Sequence, residues 1–308
     1  MRMIIQSRLI VFLDYECGQQ LQEHQKCCRQ SGRNDRMSIK GIYDIHCHIV
    51  PGVDDGATDI GETVKLLRME YEQGVRTVIA TPHFRFRMFE TPAEKVREQF
   101  RLVEKAASEI SPDLHVYLGC EFHANMEMLP MLREQKVMTM AGSRYVLTEF
   151  SHNSEESYIR ERLSALLSGG YKPIMAHIER YEATRNSLDF VEELADMGVY
   201  MQINADSITG KDGFFTKRYC NKIMKDGLLH FVGSDCHDSA KRSSRIGEAY
   251  RMVSAKFGQG YADELFIHNP AEILKQKQNM RLQIDIFYWL IYNKIGLCQI
   301  SLFTFRNT

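Results

Sequence analysis

A large charge of one sign is the first thing this sequence lacks. Its 39 Lys and Arg residues against 40 Asp and Glu leave a formal net charge of -1 over 308 residues, so nothing suggests a polyanion held by bulk charge. No seven-residue block of like charge and no low-complexity tract interrupts it. Disulfide-like cysteine spacing is missing too. The eight cysteines are scattered, several inside apolar runs, which fits a reducing cytoplasm better than secretion. Long apolar segments are also lacking. Met1–Phe12 is broken by Gln6 and Arg8 with no small-residue cleavage site behind it, so no signal peptide is expected. Ile286–Tyr292 is strongly apolar, but Asp285 and Lys294 bracket it too closely for a membrane-spanning helix. An oligomer contact or a non-native tail is expected there, with an interfacial anchor as the alternative. Residues 13–40 are polar and aperiodic, and Met37 is a plausible effective start.

What the sequence does have is a set of short apolar runs ending in polar groups. Ile42–Ile45 reads as a buried strand followed by His46-Cys47-His48. Residues i and i+2 of a strand share a face, so both imidazoles can reach one point, and neutral imidazole is a favoured transition-metal ligand. Leu229–Gly233 repeats the pattern near the other end, closing in Ser234-Asp235-Cys236-His237. The runs between them end at His83, Glu121, Glu149, His177 and Asn204. Such groups capping apolar strands are costly unless something satisfies them.

Helices alternate with these strands. Asp59 and Glu62 read as a cap and its N3 partner ahead of a stripe of Ile60, Val64, Leu67 and Tyr71 that stops at Gly74. Thr91-Pro92-Ala93-Glu94 reads as a capping box with proline at the first helical position. Further helices are expected at 158–167, about 190–197, 214–224 and 246–257, with a short closing helix from Asn269-Pro270 to about residue 278. Seven apolar strands alternating with helices predict a parallel sheet covered by helices. Ligand-type groups at nearly every strand end favour a barrel, whose strand ends share one mouth, over an open doubly wound sheet. Closure would set the first and seventh strands side by side.

The segments His46-Cys47-His48, Asp54-Asp55-Gly56, Thr81-Pro82-His83, Glu121, Glu149, Ala176–Tyr181 and Ser234–His237 resemble the PHP (polymerase and histidinol phosphatase) superfamily. They are most similar to its bacterial capsule- and exopolysaccharide-associated protein-tyrosine phosphatases. The resemblance runs from about residue 42 to about 275. It implies an α/β fold, a distorted (β/α)7 TIM-like barrel (the PHP fold), over a phosphatase domain at 41–278. Residues 1–40 would be a poorly ordered N-terminal extension and 279–308 an apolar C-terminal tail. It further implies three divalent ions, commonly Mn2+, with Fe or Zn as alternatives. The implied ligands are His46, His48, Asp55, His83, Glu121, Glu149, His177, Asp235 and His237, with Arg180 and Arg242 beside the metals. The implied activity is phosphotyrosine hydrolysis, and the implied partner is the tyrosine-rich tail of a membrane-associated bacterial autokinase that controls polysaccharide export.

The chemistry can also be argued from the residues. Four carboxylates (Asp55, Glu121, Glu149, Asp235) against three divalent ions leave an excess of two positive charges, where a hydroxide and a phosphate monoester have a favourable place. In-line attack by a metal-bound hydroxide, without a phosphoenzyme, is the expected route, and arginines such as Arg180 can hold phosphoryl oxygens. The loop Phe84-Arg85-Phe86-Arg87-Met88-Phe89 can stack on a phenyl ring while its arginines attract acidic peptide flanks, or can simply pack on the rim. No leaving-group acid stands out. A cysteine mechanism has the Cys-x5-Arg spacing at Cys27–Arg33 and Cys236–Arg242, but neither has a glycine-rich amide nest. Cys47, Cys120 and Cys236 read as buried small hydrophobes. Asp44 shares strand parity with His46 and can orient it, or fill the barrel's lower layer. Asn204 is expected to be pocket wall. His24, His115, His123, His152, His230 and His268 are expected to be structural or at the surface. Two other readings stay open. One is hydrolysis of small phosphomonoesters such as histidinol phosphate, or of nucleic-acid phosphodiesters, the latter disfavoured by near-neutral charge. The other is a metal-stabilised binding domain without turnover.

Overall fold

A computed structural model describes residues 41–276. The expected N-terminal extension and apolar tail, with Met37, Cys27, His24 and Ile286–Tyr292, lie outside the described residues.

The chain alternates strands and helices. The strands are β1 (Ile42–Cys47), β2 (Val75–Ala80), β3 (His83–Phe84), β4 (His115–Leu118), β5 (Glu121–His123), β6 (Tyr145–Glu149), β7 (Lys172–Met175), β8 (Tyr200–Asn204) and β9 (Phe231–Gly233). All pair in parallel, in two ladders ordered β1-β2-β4 and β3-β5-β6-β7-β8-β9. The long helices are α1 (Ile60–Glu72), α2 (Ala93–Ile110), α3 (Glu156–Ser168), α4 (Phe214–Lys225) and α5 (Ile246–Phe257). The result is a mixed α/β protein with a curled parallel sheet. None of its described helices is long and apolar enough to cross a membrane.

The second and third expected strands each break in two. Pro82 has no N–H to give a ladder. Gly119 sits where a Cβ would come within 2.9 Å of Met140 Sδ and 3.2 Å of Ile79 Cγ2. The backbone bonds Gly119 N to Ala80 O (2.7 Å) and Glu121 N to Pro82 O (3.1 Å) carry the pairing across the break. At the far side Asp235 N donates to His46 O at 2.7 Å and His48 N to Cys236 O at 2.8 Å, so Cys47 and Cys236 form a parallel bridge.

One apolar cluster fills the sheet interior: Ile45, Ile79, Leu147, Ile174 and Phe231 from five strands, with Ile273. The larger cluster lies between sheet and helices and includes Leu66, Leu67, Phe100, Leu163, Ile223 and Val253. Fully burying each such side chain stabilises by about 1.5–3 kcal/mol.

Two helix starts differ from expectation. Asp59 does cap α1, accepting from Glu62 N at 3.0 Å, but Glu62 Oε1 accepts from Ser239 N rather than closing a box. The buried face of α1 is Thr63, Leu66, Leu67 and Glu70, with Ile60 40% exposed, because Glu70 turns toward a buried carboxylate and thiol. Thr91 does not cap α2. Its hydroxyl donates to Val53 O at 2.8 Å, and Pro92 stands before the first helical residue.

Candidate metal centre

Between Asp44 and Cys47, β1 carries one residue more than β2, after an opposite shift between Ile42 and Tyr43. Asp44 and Cys47 pair with Val78 and Ala80, three steps against two, which is a β-bulge. The bulge ends the simple alternation that would put Asp44 beside His46. Asp44 Oδ1 instead accepts from the backbone N–H of His46 (3.2 Å) and Ser234 (2.9 Å), and Asp44 groups with Glu70 and Cys236. Asp44 therefore pins the backbone on both sides of the β1–β9 seam rather than the imidazole.

Beyond the bulge, His46 Nε2 and His48 Nε2 lie 3.4 Å apart. Glu121 Oε2 reaches both, at 3.1 Å and 3.3 Å, and lies 3.0 Å from His83 Nδ1. Asp235 Oδ1 stands 3.6 Å from His46 Nε2 and 3.4 Å from His48 Nε2. His177 Nε2 lies 2.8 Å from Glu121 Oε1 and 3.9 Å from Glu149 Oε1. Asp55 Oδ1 lies 3.6 Å from His83 Nε2 and 3.5 Å from His237 Nε2. The candidates thus gather in three overlapping groups: His46/His48/Glu121/Asp235, His48/Asp55/His83/His237 and His83/Glu121/Glu149. His177 joins them through Glu121. Asp235 and His177 hold left-handed backbone, at φ 53° and 31°, a costly conformation kept where the surroundings fix it.

Whether this set suits a cation can be judged from its unpartnered atoms. Glu121 Oε2, Glu149 Oε2, His83 Nδ1 and His237 Nε2 are buried without a hydrogen bond. Buried acceptors left this way cost about 1–3 kcal/mol each, more when charged. The electrostatics agree. Burial, then the charge of Glu121, pushes Glu149 up to about 8. Burial opposes ionisation of Glu121, but the facing His46, His83 and His177 outweigh it and hold its carboxyl well below the usual range. Burial would likewise lower His48, yet Asp54, Asp235 and Glu121 raise it well above its ordinary value. Lone pairs and charge of both kinds converge here, and the residues fit divalent ions.

Residues outside the expected ligand set support the cluster, and one of them, Gln202, gave no sequence signal. Asp54 Oδ2 lies 2.8 Å from His48 Nδ1 and accepts from His83 N at 2.9 Å. Gln202, fully buried on β8, has Oε1 3.2 Å from His46 Nδ1 and accepts from His177 N at 2.7 Å. An amide oxygen only accepts, so His46 carries its proton on Nδ1 and turns Nε2 inward. Gln202 Nε2 donates to Asn204 Oδ1 (2.9 Å), and Asn204 Nδ2 donates to Asp235 Oδ2 (2.8 Å). Asn204 is thus a link to Asp235, not only pocket wall.

Arg180 Nη2 pairs with Asp235 Oδ2 at 2.8 Å. Arg242 reaches Asp55 Oδ2 (3.4 Å) and Asp235 Oδ1 (3.5 Å). The Lys241 carbonyl accepts from Lys211 Nζ, while Arg245 pairs with Asp206 and Glu248. Cys236 Sγ faces Glu70 Oε1 at 3.9 Å and Cys47 Sγ faces Ile79 O at 3.7 Å, both buried.

The profile of the family described as capsular polysaccharide synthesis, CpsB/CapC, matches residues 42–275. The chain belongs to the CpsB/CapC family. Within it, the tyrosine-protein phosphatase CpsB of Streptococcus pneumoniae is 39% identical over 238 residues, 76% of this chain and 98% of that protein. Among solved structures, the crystal structures of YwqE from Bacillus subtilis and CpsB from S. pneumoniae, described as unique metal-dependent tyrosine phosphatases, give a match of TM-score 0.68 at 30% identity, covering 72% of this chain and 90% of the other. A phosphotriesterase homology protein from Escherichia coli matches at TM-score 0.50 and 13% identity over 76% of this chain and 99% of its own. That match bears on the fold alone and places this CpsB/CapC member beside TIM-barrel-like folds.

Proposed function

We propose that this chain is a metal-dependent protein-tyrosine phosphatase. The observation that carries this reading is the meeting of His46 Nε2, His48 Nε2 and His83 Nδ1 on the single oxygen Glu121 Oε2, in a chain of the CpsB/CapC family. His46, His48, Asp55, His83, Glu121, Glu149, His177, Asp235 and His237 would hold three divalent ions, preferentially Mn2+. The mixed imidazole and carboxylate donors suit manganese, iron or zinc and disfavour calcium. When bound, such ions lower the pKa of a coordinated water and stabilise charge on attacking and leaving oxygens.

The protein's own groups do the rest. Arg180 and Arg242 rest against Asp235 and Asp55, which fixes each guanidinium while leaving N–H groups for phosphoryl oxygens. Burial opposes the charge on Arg180, but Asp235 and Glu179 outweigh it and keep it protonated. A phenolate is a tolerable leaving group, so no acid is needed behind it. Cys236, turned toward Glu70, takes no part.

The finer assignments belong to the same reading. Read through their interruptions, β2 with β3 and β4 with β5 give seven strand lines, which we take as a distorted (β/α)7 barrel closed at the Cys47–Cys236 seam, spanning residues 41–278. The substrate is a phosphotyrosyl protein, with the tail of a membrane-associated tyrosine autokinase as the physiological partner. The free, buried cysteines support a cytoplasmic setting. A manganese-dependent assay of a phosphotyrosyl peptide against a phosphoseryl peptide and histidinol phosphate tests this, with His177→Ala as control. Preference for the phosphotyrosyl peptide is expected, lost in the variant. Preference for histidinol phosphate would replace it with a small-phosphomonoester phosphatase.

A further inference from the structure

The loop after β3 holds a cation that the proposed mechanism leaves unused. In register, His83 and Phe84 of β3 pair with Glu121 and Phe122 of β5, and His123 pairs with Glu149 of β6. His83 and Glu121 meet at the cluster, whereas Phe84 and Phe122 meet on the other face, edge to face at 5.6 Å. By alternation the next residue, Arg85, returns to the cluster's face, one step beyond His83 and level with His123 and Glu149.

The backbone holds Arg85 there. Arg85 N donates to Phe89 O and Phe89 N to Arg85 O, both at 2.8 Å. Arg87, in the left-handed region at φ 62°, closes the turn. The Phe89 ring then stacks on His83 at 5.2 Å and 10°, tying the loop to the cluster. Arg87 is exposed on the outside of the turn, where its N–H donates to Glu90.

Arg85 is half-buried, yet among the described residues its guanidinium makes no hydrogen bond or ion pair. A partly desolvated cation without an anion is costly. Its charge is felt on the site side, where it opposes burial at Glu149 and adds to burial in lowering His123. Arg180 and Arg242, by contrast, are already held by Asp235 and Asp55.

We propose that Arg85 is a third phosphoryl-binding residue, contacting the non-bridging oxygens of the substrate's phosphate. This rests on the phosphomonoesterase reading and separates the loop's two arginines: Arg85 serves the phosphoryl group, and Arg87 is dispensable for it. His123 offers Arg85 no negative charge, its Nε2 facing Ser151 Oγ at 3.2 Å.

Manganese-loaded wild type, Arg85→Ala, Arg85→Lys and Arg87→Ala would be compared for metal content, for inorganic phosphate binding by titration calorimetry, and for phosphotyrosyl-peptide turnover. Loss of one charge-assisted contact predicts phosphate binding and kcat/KM roughly tenfold to hundredfold weaker in Arg85→Ala. Metal content should be unchanged, Arg85→Lys should recover part, and Arg87→Ala should stay within about twofold. Unchanged phosphate binding in Arg85→Ala, or loss of metal in step with it, overturns the proposal. A wild type inactive on phosphotyrosine whose phosphate affinity still depends on Arg85 would sink the phosphotyrosine reading and leave this inference standing.

Discussion

His46 Nε2 and His48 Nε2 face each other across 3.4 Å, each also within 3.6 Å of Asp235 Oδ1. Only one proton can lie between two ring nitrogens, and the carboxylate oxygens around them bring more lone pairs than protons.

Metal removal should therefore destabilise the protein. A ligand at about 100 times its Kd adds about 2.7 kcal/mol, which for a domain of this size is a Tm rise of roughly 5–10 °C. Thermal denaturation of chelator-stripped protein with and without added Mn2+ measures it. Superimposable curves would show that the cluster binds no metal.

Proton release provides a second check. Burial would lower His46, but Glu121 and Asp235 outweigh it and raise it, and His48 is raised likewise. A raised imidazole keeps its proton to higher pH than a free one, and ligation must displace that proton. Metal affinity should then rise with pH, and binding at pH 7 should release protons. Calorimetric titrations in two buffers of different ionisation enthalpy would reveal this; identical heats would contradict it.

Gln202→Leu removes the acceptor that fixes the His46 tautomer and the His177 backbone. Loss of such a support costs about 10- to 100-fold in metal affinity. The change should appear in competition with a chromophoric chelator, with the fold retained by circular dichroism. An unchanged affinity would make Gln202 a packing residue.

Cys236→Ser should keep activity within about threefold, because Sγ turns toward Glu70 and away from the cluster. A variant that keeps its metals but loses all turnover would restore the cysteine mechanism.

Much of this was legible in the primary structure because strand ends are local. His46, His83, Glu121, Glu149, His177 and Asp235 each end or follow an apolar run, and parallel pairing brings such ends together. The bulge in β1 was not legible, since one extra residue leaves no mark in composition. It turned Asp44 from a neighbour of the His46 ring into an anchor for its backbone. Gln202 was hidden because one amide inside Tyr200–Asn204 looks like any polar residue in a strand. The capping box at Thr91 failed for a similar reason: the Val53 carbonyl, nearly forty positions upstream, claimed its hydroxyl.

The seam at Cys47 and Cys236 also dictates timing. Asp44 and Ser234, which it brings within hydrogen-bond reach, are 190 positions apart, and Asp235 follows directly. During synthesis the first histidines emerge long before the carboxylate that completes their group. Any ion held by the full group can be captured only after the chain has been made as far as Asp235, so the group is a long-range product of the fold and not of one local segment.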